Sequence, residues 1–278
     1  MLIYPTIKEA PIAGLSGFGG GVSSLSIVES APVAVLGNAG KSDSNYFFRP
    51  AQTGNDIEDE KGNFPDFHVQ NPGNTTAMVA TTNMPPGMGA ARLNTSNASF
   101  LKTDTHESFG MMSNKGVGGF VMPTSATTMR MLFFQSYVPS QNYSLFVTDT
   151  YASGWPVATN ARYDWPENGN YHARGSENTA WGVGGNNELL DDTWNHFRFG
   201  RDNNNDVRLV IHTWDGSSWT ERCDLTDDGG STVGGNGDMS YSCFFGQPSQ
   251  SRGIIGYWGN VYHQDFSSSD WDSTPPSD

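Results

Sequence analysis

Carboxylates are the first residues to test for chemistry. Glycoside hydrolysis requires two carboxyl groups facing one bond, one acting as acid and the other as nucleophile or base. No predicted strand of this chain carries a Glu-x-Asp-x-x-Glu spacing, Glu58 and Glu60 fall in a loop, and Glu167, Glu177 and Glu188 stand alone. Acyl transfer from a Gly-x-Ser-x-Gly elbow is absent as a pattern. Gly40-Lys41-Ser42 lacks the glycine that a phosphate-binding loop needs five positions before Gly40, where Val35 stands. His68, His106, His172, His196, His212 and His263 are scattered, and His196 alternates with core positions, as a residue hydrogen-bonded at a strand edge would. The expectation is a protein that is not an enzyme, with no catalytic residue, no cofactor and no metal site. Cys223 and Cys243, without clustered histidines, do not make a zinc site. Their spacing leaves open whether they pair, and free thiols suit a chain made in a cytoplasm.

Binding chemistry is better represented. Between residues 151 and 181 aromatic side chains stand among Gly, Asn and Pro, which places them on loops or strand ends. Sugar recognition uses such rings, which stack on the apolar face of a pyranose while amides and carboxylates take its hydroxyls. Trp155, Trp165, Tyr171 and Trp181 are therefore the candidate carbohydrate-binding residues. The same rings also suit a sandwich core or contacts between subunits, since large aromatics dominate both.

The elements that would position them are strands. The segment Asp191–Gly216 alternates apolar and polar side chains with period two, with Phe197 and Phe199 on one arm and Val207, Leu209 and Ile211 on the other. The run Asp202–Asp206 supplies the turn, and Asp215-Gly216 ends the hairpin. Thr127–Val138 is strongly apolar, ends at Pro139 and reads as a central strand buried on both faces. Further strands are expected at Thr75–Thr82, from Ser99, and at Tyr143–Thr148, Trp219–Leu225, Tyr241–Gly246 and Gly253–Asp265. Residues 37–72 read as irregular, with Asp56, Glu58, Asp59 and Glu60 forming a solvated acidic run that lacks the pattern of a calcium loop. The closing segment from Ser267 reads as a polar tail that frays.

Composition agrees with a strand-and-turn protein. The chain has 278 residues with 33 glycines, and only 16% of it is charged, which suits many short strands and not a helical bundle. The net charge of −14 opposes binding to nucleic acid or to anionic membranes. No stretch has the length and apolarity of a membrane-spanning helix, and the first residues, broken by Pro5, Lys8 and Glu9, do not read as a signal peptide. The triplets at Asn74, Asn97 and Asn142 match glycosylation acceptors only as short patterns.

Residues 1–36 differ from the rest. They are Gly-rich, with isolated apolar residues such as Pro11, Ile12, Leu15 and Phe18 that suit an arm ordered on a partner. Pro11, Ile12, Gly14, Leu15, Gly17, Gly19, Gly20 and Gly21 resemble the opening segments of several tailed-phage virion proteins, where a Pro-Ile/Leu-x-Gly-Leu-x-Gly-x-Gly-Gly-Gly stretch precedes a β-rich domain. The resemblance implies that Pro11, Ile12, Leu15 and Phe18 anchor the chain in a particle.

A second resemblance covers residues 95–270. Ser99-Phe100-Leu101, the apolar strand to Pro139, Trp194-x-His196, Asp215-Gly216 and Gly253-Ile254-Ile255-Gly256 resemble the laminin-G-like, concanavalin A-like jelly-roll family in their order. Thr213-Trp214 departs from the plainer run usual there, and no Asp can be assigned as a metal ligand, so calcium is not carried over. The fold implied is an all-β antiparallel β-sandwich with an extended Gly-rich N-terminal arm. The expected division is an arm at 1–36, an irregular and partly β connecting region at 37–94, the jelly roll at 95–270 and a polar tail at 271–278. The function implied is a non-enzymatic phage virion structural protein, a tail-fibre or spike component whose lectin-like domain binds host surface glycan. The alternatives are a capsid decoration protein held by its arm and a carbohydrate-active enzyme. Expected partners are other virion proteins of the capsid, tail or baseplate, together with host glycan. A homo-oligomer is expected, with a trimer favoured, located in the virion after synthesis in the host cytoplasm.

Overall fold

Alternation between residues 195 and 214 produces the expected hairpin. His196 pairs with His212, Phe197 with Ile211 and Phe199 with Leu209. The computed structural model describes residues 37–50, 54–79, 83–104, 114–124, 130–137, 141–148, 160–167, 170–175, 189–201, 207–227, 239–246, 248 and 253–277. In chain order its strands begin with β1 (Ser44–Phe48), β2 (Asp56–Ile57), β3 (Phe67–Gln70), β4 (Thr75–Val79), β5 (Ala91–Asn94), β6 (Phe100–Lys102), β7 (Lys115–Pro123) and β8 (Arg130–Tyr137). They continue with β9 (Gln141–Thr148), β10 (Asn160–Glu167), β11 (Asn170–Gly175), β12 (Asn195–Arg201), β13 (Val207–Trp214), β14 (Trp219–Asp227), β15 (Met239–Phe244) and β16 (Gly256–Asp265), before a one-turn helix α1 (Ser268–Trp271).

The strands form two eight-stranded sheets with antiparallel pairing. The first runs β14-β13-β12-β7-β16-β5-β4, with β1 also on β16, and the second runs β11-β10-β9-β8-β15-β6-β3-β2. Phe197, Phe199, Leu209, Ile211, Val117, Val121 and Val261 of the first sheet pack on Phe67, Leu101, Leu132, Phe133 and Phe244 of the second. This shared core makes the molecule an antiparallel β-sandwich. The apolar run at 127–138 contains β8, which lies inside the second sheet between β9 and β15. Its consecutive residues Leu132 and Phe133 both enter the core, where the β8–β9 register shifts between Met131 and Phe133.

Strands also arise where the sequence reads as irregular. β1, β2 and β3 lie within residues 37–72, and β1 and β5 sit in the same sheet as β12 and β16, so residues 44–102 contribute to both sheets of the sandwich. The acidic run is not simply solvated. Asp59 is buried, and its carboxylate accepts hydrogen bonds from the backbone N–H groups of Phe47 (2.7 Å), Lys61 (3.1 Å), Asn63 (2.8 Å) and Phe64 (3.0 Å). Glu60 pairs with Lys41 and Arg49, and Asp56 with His68.

The first sheet is covered on its outer face too. Phe47, Phe120, Val210 and Tyr262 point away from the shared core and pack under Ala39, Met88, Phe266 and Trp271. Closing residues expected to fray thus form part of a second core. Trp271 is fully buried, with its ring 4.4 Å from that of Phe266. Arg198 donates to the carbonyl oxygens of Ser273 (2.7 Å) and Thr274 (2.9 Å). One large apolar side chain in a polar segment is enough to dock it on an open sheet face, and no periodicity announces that.

β7 lies at the centre of this sheet, and its glycines decide what crosses it. A Cβ on Gly118 would sit 2.5 Å from Cζ of the Tyr262 ring. Glycine is required there so that the ring can lie across the strand.

Candidate functional site

The β7 end, the β12 start and the β13 end meet at one corner of the first sheet, because β12 runs antiparallel to both neighbours. Asn195 fixes that corner. Its side-chain amide donates to the carbonyls of Thr193 (2.8 Å) and Leu190 (3.0 Å), and its Oδ1 accepts from Leu190 N–H (3.1 Å) and the Thr213 hydroxyl (3.0 Å). Asn195 is fully buried, so these bonds hold residues 190–194 in one shape. Asp192 is further tied by its N–H to the Pro123 carbonyl at 2.7 Å, and Trp214 N–H to the Trp194 carbonyl at 2.8 Å.

The turn after β13 is fixed by its own side chains. Asp215 Oδ1 accepts from the backbone N–H groups of Ser217 and Ser218, both at 2.7 Å, and from the Ser217 hydroxyl at 2.8 Å. Its Oδ2 accepts from the Ser218 hydroxyl at 3.0 Å. The hydrogen bonds from Ser218 N–H and the Ser217 hydroxyl lead in holding this carboxyl well below the usual carboxylate range, so it stays ionised. Gly216 takes φ 99°, the left-handed backbone such a turn demands. At the base of the turn Trp214 pairs with Trp219, and their rings lie 5.2 Å apart.

Between these two loops opens a cleft of about 150 Å³ lined by Asn83, Met122, Asp192, Thr193, Trp194, Trp214, Asp215 and Gly216. It is about half the ~300 Å³ at which pockets for drug-sized ligands begin, and so suits a single small ring. Trp194 is buried in its floor and Trp214 is half-buried. Asn83 (φ 57°) and Asp192 (φ 53°) both hold left-handed backbone, which Asn and Asp tolerate better than other side chains. Among the described residues, the carboxylate of Asp192 and the amide of Asn83 have no protein hydrogen-bond partner. Both are exposed to the cleft's solvent. Aromatic surface, carboxylates, an amide and a hydroxyl here converge on a space the size of one ring.

A carboxylate pair is legible in a sequence only when it lies along a single strand. Asp192 and Asp215 come from two different turns, and only the pairing of β12 with β13 brings them to one cleft. The signal available was Trp214-Asp215-Gly216 followed by Trp219, a turn with an aromatic at each foot.

Trp165 and Tyr171 lie on the β10–β11 pair at the edge of the second sheet, where Trp165 stands opposite His172 and Tyr171 opposite Pro166. Trp155 and Trp181 fall outside the described residues, as do Pro11, Ile12, Leu15 and Phe18 of the arm. Cys243 is a buried free thiol. His196 is not at a sheet edge. It lies on β12 between β7 and β13, with Nε2 2.7 Å from the Tyr262 hydroxyl. Among the described residues no group of three His, Cys, Asp or Glu side chains is placed to hold a metal ion, and no helix is long and apolar enough to cross a membrane.

No protein-family model and no curated protein matches the chain. Solved structures do. The chain is similar to Trypanosoma rangeli sialidase in complex with sialic acid, at 12% identity and TM-score 0.51, over 82% of this chain and 32% of that one. It is similar to the enzymatically active domain of bacteriophage CBA120 tailspike protein 2, at 13% identity and TM-score 0.46, over 87% and 31%. It is also similar to a GH54 α-L-arabinofuranosidase, at 13% identity and TM-score 0.40, over 78% and 48%. The chain spans about a third of the length of the first two. The likeness to the sialidase is one of fold, and it agrees with the sandwich described above. The expectation that the chain is not an enzyme is corrected by the first of these matches: the fold is shared with a sialidase, so the architecture gives no ground for excluding catalysis.

Proposed function

We propose that this chain is a glycan-recognising β-sandwich of a phage tail-fibre or spike-type virion protein, and that the cleft between Asp192 and Trp214 takes one sugar ring of a host surface glycan. The observation that carries this reading is the cleft's composition. A sugar offers an apolar ring face edged by hydroxyls, and the cleft sets Trp214 beside Asn83, Asp192, Thr193 and Asp215. Aromatic surface removes the apolar face from water, and the carboxylates and amide receive the hydroxyl protons. The virion placement rests on the resemblance of Pro11–Gly21 to phage opening segments. With it come other virion proteins as partners and a homo-oligomer, a trimer favoured.

Glycan titration of the full chain tests the reading. Trp214→Ala and Asn83→Ala are each expected to weaken binding by about tenfold or more, as loss of a central contact does. Unchanged binding in both variants would remove the cleft as the site. Trp155→Ala and Trp181→Ala test in the same way whether those aromatics take further sugar units.

A second reading, hydrolysis of the bound glycan, is favoured by the convergence of Asp192 and Asp215 on one cleft. Release of reducing ends by the full chain, lost in Asp192→Asn, would support it. Bound glycan recovered intact would remove it.

A further inference from the structure

We infer that the cleft selects uncharged sugar rings and rejects those bearing a carboxylate, sulfate or phosphate. This rests on the glycan reading of the same cleft and adds the class of ligand. Two of the residues lining it, Asp192 and Asp215, are carboxylates, and no Lys or Arg lines it among the described residues. Recognition of an acidic sugar requires the opposite arrangement, a cation or a set of N–H donors aimed at the anionic group.

The two carboxylates differ in what they can do. Asp215 already receives four hydrogen bonds from Ser217 and Ser218, three of them on Oδ1. Those bonds lock the carboxylate in place and leave Oδ2, with one, as the oxygen able to accept a sugar hydroxyl. The backbone N–H groups of Ser217 and Ser218, which could otherwise serve an anion, are consumed by Asp215 itself. The Asp192 carboxylate has no protein hydrogen-bond partner among the described residues. Its acceptors are fully available to hydroxyl protons and repel a second negative charge. The chain's net charge of −14 adds a field of the same sign around the opening. A neutral hexose meets two acceptors, an amide and an aromatic ring, whereas a uronic or sialic acid meets the same groups carrying a charge that no lining residue compensates.

The test compares neutral oligosaccharides with uronic-acid-containing and sialylated ones, by calorimetric titration of the full chain at low and at high salt. Binding of neutral glycans, with acidic ones at least about tenfold weaker at low salt and the gap narrowing as salt screens the carboxylates, is the expected result. Asp192→Asn should narrow the same gap at low salt. It leaves the Asp215 turn intact, so its effect reads charge and not folding. Acidic glycans bound as tightly as neutral ones, or a gap indifferent to both salt and Asp192→Asn, would overturn the selectivity while leaving the glycan reading standing. Failure of every glycan of either class to bind would overturn both.

Discussion

The Tyr262 hydroxyl lies 2.7 Å from His196 Nε2, across the strand that separates them. β16 carries the tyrosine, β12 the histidine, and β7 runs between, with Gly118 opposite both Tyr262 and Arg198. Both side chains are buried, so the bond joins two polar groups that have lost water. Tyr262→Phe should leave the imidazole nitrogen without its partner and cost about 1–3 kcal/mol, read from urea denaturation. A midpoint equal to that of the parent would mean the imidazole finds another partner.

Gly118→Ala tests the same arrangement from the strand. The added Cβ would fall 2.5 Å from the Tyr262 ring, and the tyrosine would have to lift off β7. Overpacking of this kind costs about 1–3 kcal/mol. If the ring were free to move, the double variant Gly118→Ala/Tyr262→Phe would lose as much as the two single variants added together. Shared dependence on one contact predicts less than the sum.

Acid should destabilise the fold through two histidines. Burial, followed by the nearby Arg198 charge, lowers the His196 pKa well below its ordinary value. The same two causes, in the same order, push His212 down to about 4, opposed by Asp224. The unfolded imidazoles take up protons near 6.5, while the folded ones resist until lower pH. Stability is therefore complete above about pH 6.5 and is lost as pH falls toward about 4. Thermal midpoints measured from pH 7.5 to 4.5 should fall across that window, and His212→Gln should flatten part of the slope. A flat profile in the parent chain would refute the assignment.

Asp59 anchors the loop beneath β1. Its two oxygens serve four backbone N–H groups, which Asp59→Ala would strand. The expected loss is about 3 kcal/mol by chemical denaturation. Hydrogen exchange should report faster exchange at Phe47, Asn63 and Phe64 before it does at β12. Uniform change across the sheet would count against a local anchor.

Asn195 links stability to the cleft. Asn195→Ala removes the amide that holds Leu190, Thr193 and Thr213, at a cost of about 2–3 kcal/mol. Glycan affinity should fall with it at temperatures where the variant remains folded, because Asp192 and Thr193 lose their support. Retained affinity would mean that the loop keeps its shape through the Asp192 N–H bond to Pro123 alone.

Much of the sandwich was written in local pattern. Phe197, Phe199, Leu209 and Ile211 alternate and face the shared core, the strongly apolar segment that holds β8 lies inside its sheet, and Asp215-Gly216 makes the turn it announces. These features need only neighbours in sequence, since period-two alternation and turn chemistry act over a few residues. β7 escaped notice because Gly116, Gly118 and Gly119 mimic a loop, and their purpose is visible only once Phe266, Tyr262 and Val261 lie against them in turn. The burial of Asp59 and Trp271 was hidden for the same reason, since each depends on surface supplied by distant strands. So was the cleft. Asp192, Asp215 and Asn83 are ordinary polar loop residues until antiparallel pairing brings the ends of β7, β12 and β13 to one corner. The sequence alone determined that segments such as β8, β12 and β13 are strands and where the main hairpin turns, because those choices are local. Tertiary structure decided which face meets which, which polar residues are buried, and which carboxylates share a cleft, because these depend on contacts between residues far apart in the chain.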